Sequence, residues 1–124
     1  MHVKNIFFVF LSILLLNCCN YENEESLYGS SECDTNFVSF ETDIYPIISS
    51  HCTIMCHVGP SPSAGLGLES YAQIYQSATE PYNGIIDRIS RPEGDPFMMP
   101  GSYRIPQCQI DKIVAWVEQG ALNN

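Results

Sequence analysis

The feature that most constrains this chain is the segment His51-Cys52-Thr53-Ile54-Met55-Cys56-His57, with two thiols and a histidine directly after the second. Cys52 and Cys56 stand at i and i+4, so on a regular helix they would be about 40° apart around the axis and about 6 Å apart along it. A fold built on this segment must turn all three donors toward one place.

Six cysteines in 124 residues are many for a reducing compartment and predict an exported protein in which each thiol is committed. Hydrophobic residues make up 45% and charged residues 15%, the balance of a globular domain. The formal net charge of −9 argues against nucleic acid, whose phosphates call for lysine and arginine.

Residues 1–17 read as an export signal of the lipoprotein type. After Lys4, the run Ile6 to Leu16 is almost wholly apolar yet shorter than the roughly 20 residues of a spanning helix. It ends in Leu15-Leu16-Asn17-Cys18-Cys19, which resembles a lipobox with Cys18 as the lipid-bearing residue and Cys19 as the alternative. Residues 18–32 are polar and acidic without an apolar period and read as a flexible tether.

The folded domain is expected over 33–124. Phe37, Phe40, Ile44, Ile47 and Ile48 recur at helical spacing, and Pro46 belongs in a first turn, which predicts a helix over about 43–50. Leu68, Tyr71, Ile74 and Tyr75 predict a second short helix. Ile85, Ile86 and Ile89, after an Asn83-Gly84 turn, predict a third. Pro106 stands at an expected first helical position. Ile110, Ile113, Val114 and Val117 follow it, and Gly120 marks the end. No run alternates with period two, so the expected class is all-α, with about four short helices and long loops.

Two thiols followed at once by histidine in an exported protein point to covalent attachment of haem, with His57 as an iron ligand. The usual motif has two residues between the cysteines and this one has three, so a bulge is expected among Thr53, Ile54 and Met55. Iron needs a second axial ligand, and the stiff loop Arg91–Ser102 carries Met98-Met99-Pro100. His51 lacks adjacency to the second thiol and reads as exposed, Trp116 as packing, and Tyr71, Tyr75 and Tyr82 as pocket or core aromatics. One of Arg88, Arg91 and Arg104 is expected to neutralise a haem propionate. The competing reading is a zinc or disulfide module using Cys52, Cys56, His57 and Cys108.

Taken in order, the pieces Cys33-Asp34, Asp43–Ile48, Cys56-His57, Gly65–Leu68 with Ser70-Tyr71, Asn83-Gly84, Met99-Pro100 and Cys108 with Ile113–Val117 resemble the small monohaem c-type cytochromes. The resemblance is strongest to cytochrome c-like domains of bacterial lipoproteins and covers about Cys33 to Asn124. It implies a cytochrome c-like fold around one haem c. Cys52 and Cys56 would then be the attachment residues, His57 the proximal ligand and Met99 the distal one, with Met98 as the alternative. It further implies that the first and last helices pack together, which would bring Cys33 and Cys108 into a disulfide. The implied role is electron transfer to redox partner proteins, without catalysis, from a lipid-anchored position facing the periplasm.

Overall fold

A computed structural model describes residues 33–124. The expected leader over 1–17, the tether over 18–32, and the lipidation candidates Cys18 and Cys19 lie outside the described residues. The described residues form four helices and a short 3-10 turn at Ser63–Gly65, joined by loops, with no strand among them, so the class is all-α.

The first segment, α1 (residues 40–53), winds without a break through Phe40–Ile44, Tyr45–Ile48 and Ser49–Thr53. Its outer pieces are π-turns and its centre is an α-turn. The helical winding therefore starts earlier than the expected 43, while Pro46 stands in the first turn of the α-helical piece Tyr45–Ile48, as expected. A proline has no amide to donate and crowds the carbonyl four residues back. The wide turn before it, closed by Ile44 N–H on Ser39 O at 3.2 Å, relieves that crowding. Ser39 caps this start, its hydroxyl accepting from Thr42 N–H. Phe37, expected on the helical stripe, lies before the helix and is 96% exposed.

The remaining helices are α2 (Tyr71–Thr79), α3 (Ile85–Ile89) and α4 (Gln107–Glu118). A Ser70/Gln73 capping box starts α2. Gly84 precedes α3 where the backbones crowd: a Cβ there would sit 2.3 Å from Ser77 O, so only glycine fits. Pro106 is the N-cap of α4 rather than its first residue, and the helix ends through Gly120 at φ +98°. No helix among the described residues is long and apolar enough to cross a membrane.

The core lies where α1 meets α4. Ile44, Ile48, Ile113 and Trp116 are essentially inaccessible. Phe40 meets Trp116 at 5.6 Å and Tyr71 edge-on at 5.1 Å between ring centroids. The Trp116 indole donates to Leu122 O and the Tyr71 hydroxyl to Ala121 O, so their polar ends are satisfied. Lys112 on α4 bridges Asp43 on α1 at 2.6 Å. This lysine, through a hydrogen bond, holds the Asp43 carboxyl below its ordinary range. Near the same helix pair, the sulfurs of Cys33 and Cys108 are bonded, closing a span of 75 residues. The expected packing of first on last helix is present.

Candidate functional site

The Cys52–His57 segment leaves α1 through widened turns. Ile54 N–H donates to Ser49 O at 3.3 Å and His57 N–H to Cys52 O at 3.1 Å, both spanning five residues. An α-turn closes over four. The inserted residue is thus taken up by enlarging the turn, and the carbonyl of the first cysteine still receives the amide of the histidine. The bulge expected among Thr53, Ile54 and Met55 takes this form. Ile54 and Met55 are carried to the surface, 68% and 87% exposed.

Cys52 and Cys56 are free thiols, the first half-buried against the core and the second exposed. Burial pushes the Cys52 thiol up to about 11, and the neighbouring Cys56 adds to that. At neutral pH Cys52 is a protonated thiol rather than a thiolate.

His57 is oriented from behind. Its Nδ1 lies 2.8 Å from the carbonyl oxygen of Leu66. A carbonyl only accepts, so Nδ1 carries the proton and Nε2 is left with its lone pair, the tautomer that binds metal. Several backbone bonds hold that carbonyl in place. Leu68 N–H donates to His57 O at 3.0 Å and Ser63 N–H to Cys56 O at 2.7 Å. The Thr53 hydroxyl lies 3.1 Å from Leu68 O and 3.3 Å from Ile48 O, tying the wide turn to the returning strap. Sequence reasoning placed Thr53 in the bulge and Leu66 in the Gly65–Leu68 piece, but gave neither a hydrogen-bonding role. The contact at Leu66 is made by a backbone carbonyl, and its only sequence signal is the Gly65-Leu66-Gly67 surround.

The two methionines differ. Met98 is 5% exposed and Met99, whose bond to Pro100 is cis, is 43% exposed. Met99 N–H is held by Arg88 O at 3.1 Å. The arginines are committed around this loop: Arg91 pairs with Asp87 at 3.0 Å and Asp95 at 3.3 Å, Arg88 lies over the Phe97 ring, and Arg104 donates to Arg91 O. Arg91 Nε is buried without a hydrogen-bond partner. Two clefts, of about 600 and 400 Å³, are lined by other residues and by neither thiol, His57 nor the methionines.

The remaining expectations divide, with Trp116 as expected. His51 is half-buried, not exposed, and both ring nitrogens are engaged, by Tyr103 and Gln109. Trp116 is packing. Of the three tyrosines, Tyr71 joins the core and Tyr82, 78% exposed, lines the cleft of about 400 Å³, whereas Tyr75 is 41% exposed. Zinc ligation by Cys52, Cys56, His57 and Cys108 loses its fourth donor, because Cys108 sulfur is bonded to Cys33. No group of three Cys, His, Asp or Glu residues among the described ones is disposed to hold a metal ion.

The Cys52–His57 turn therefore carries two unbonded thiols and an imidazole oriented by a backbone carbonyl, with the methionines on a separate loop. No family model, no curated protein and no solved structure matches this chain.

Proposed function

We propose that the domain over 33–124 has a cytochrome c-like fold and carries one covalently bound haem c as an electron-transfer protein. Cys52 and Cys56 would hold the group, His57 would ligate the iron through Nε2, and Met99 would ligate it from the other side, with Met98 as the alternative. When bound, the haem supplies a one-electron couple. The chain's residues fix its orientation and tune its potential, and the domain is a carrier rather than a catalyst. A thioether ligand favours reduced iron relative to a second nitrogen. The placement that goes with this reading is a lipid anchor at Cys18 or Cys19, with the domain facing the periplasm and meeting redox partner proteins.

The observation that carries the reading is the Nδ1–Leu66 hydrogen bond beside two unbonded thiols. It supports the reading because it leaves Nε2 of the histidine after the cysteine pair free to ligate. A protein-only module stapled by Cys33–Cys108 is the competing reading, and it gives no work to Cys52, Cys56 or the oriented ring.

The test is an absorption spectrum of the full chain produced in a host with a cytochrome c maturation system. A sharp reduced α-band that survives denaturation supports the reading. A colourless protein from that host sinks it. Met99→Ala should abolish the weak far-red band of methionine on ferric iron, and persistence of the band moves the ligand to Met98. Cys52→Ala should leave haem attached through one thiol.

A further inference from the structure

His51 precedes Cys52 within the widened turn Ser49–Thr53. Its Nε2 lies 2.8 Å from the Gln109 side-chain oxygen and its Nδ1 2.8 Å from the Tyr103 hydroxyl. An amide oxygen only accepts, so Nε2 carries the proton and Nδ1 accepts from the phenol. A ring with both nitrogens spent is no ligand. It joins three parts of the fold instead: the end of α1 that bears Cys52, the first turns of α4, and the loop that bears the methionines.

Tyr103 is four residues beyond Met99 on that loop. The loop's own base is closed by Met99 N–H on Arg88 O and Arg104 on Arg91 O, and Ile105 is buried at 1%. Those bonds fold the loop on itself and onto α3. His51–Tyr103 is the side-chain hydrogen bond that ties it to α1, with the two rings 5.7 Å apart.

We infer that His51, Tyr103 and Gln109 form a latch that sets the methionine loop against the Cys52–His57 turn, which makes His51 a positioning residue for the distal ligand. The inference rests on the haem reading above. Distal ligation then depends on a bond from the residue before the first thiol to the residue four past the methionine. Breaking the latch frees the loop to leave the iron, while attachment through the thiols is untouched.

The experiment uses the full-length, haem-loaded protein and free imidazole as a competitor for the methionine position, followed by the far-red band. Tyr103→Phe keeps the ring and removes the oxygen. It should retain the α-band while the imidazole midpoint falls about tenfold, the scale of one lost hydrogen bond. His51→Phe should do the same or more. Lys112→Ala, which removes the Asp43 pair elsewhere on α4, should leave the midpoint in place. Unchanged midpoints in both latch variants overturn the inference, as does an equal shift in Lys112→Ala, which would mark a general loss of stability. A coloured wild type without a far-red band overturns it too. A colourless wild type fails the haem reading itself and takes the latch with it, so the two failures are distinct.

Discussion

Two regions of this domain spend the same kinds of residue in opposite ways. Where α1 packs on α4, Ile44 and Ile113 are fully buried and Trp116 is 1% exposed. On the Cys52–His57 turn and the methionine loop, Ile54, Met55, Phe97 and Met99 are 43% to 87% exposed. The first region is held by burial of apolar surface, reinforced by a disulfide and an ion pair. The second is held by hydrogen bonds, many of them to backbone carbonyls: Leu66 for His57, Leu68 and Ile48 for Thr53, Cys52 for the His57 amide. Substitution in the first should therefore cost stability, and substitution in the second should cost geometry at the donors.

The sharpest way to break this division is Trp116→Ala, which empties the centre of the aromatic cluster and strands Leu122 O. Denaturant unfolding should show a loss of about 3–5 kcal/mol. A loss below about 1 kcal/mol would mean the core lies elsewhere. Replacing both Cys33 and Cys108 by serine reopens the span of 75 residues. The chain-entropy model gives a cost of about 4 kcal/mol, read as a lowered unfolding midpoint and mimicked in the wild type by reductant. Neither change should move His57.

Thr53→Val removes a hydroxyl that bonds two carbonyls while keeping the shape. It should cost about 1–2 kcal/mol, and the histidine Nδ1 signal in a nitrogen NMR spectrum should shift as the strap loosens. A stable protein with an unchanged His57 signal would show that backbone bonds alone hold the strap. Asp43→Asn probes the ion pair of the packed region. The folded-state carboxyl lies below the ordinary value of 3.8, so the pair stabilises above that pH and the benefit is lost as pH falls through the depressed value. The variant should be about 1 kcal/mol less stable at neutral pH. The gap should close in acid, and a gap that persists there would assign the effect to packing. Met55→Ser should change stability by less than about 0.5 kcal/mol, as for an exposed site. A larger cost would place that side chain in a packed environment.

Much of this was readable along the chain because it depends on local pattern. The apolar period of Ile110, Ile113 and Val117 with Pro106 and Gly120 at its ends specifies α4 to within a residue. The Asn83-Gly84 turn bounds its helix in the same way, since turns and positive φ are decided by near neighbours. The start of α1 falls at Phe40 rather than about 43, because a π-turn precedes the α-turn whose first turn holds Pro46, as expected for a proline. No local residue announces that π-turn.

The sequence by itself determined which donors exist, that two thiols stand beside one histidine, and that the chain is helical, since residue type and period act over a few positions. Tertiary structure decided which nitrogen of His57 is free, which methionine is exposed, and that His51 is tied to Tyr103 and Gln109 rather than open to a ligand. The physical reason is that those outcomes rest on backbone carbonyls and on side chains more than fifty residues away, whose positions only the packed fold supplies.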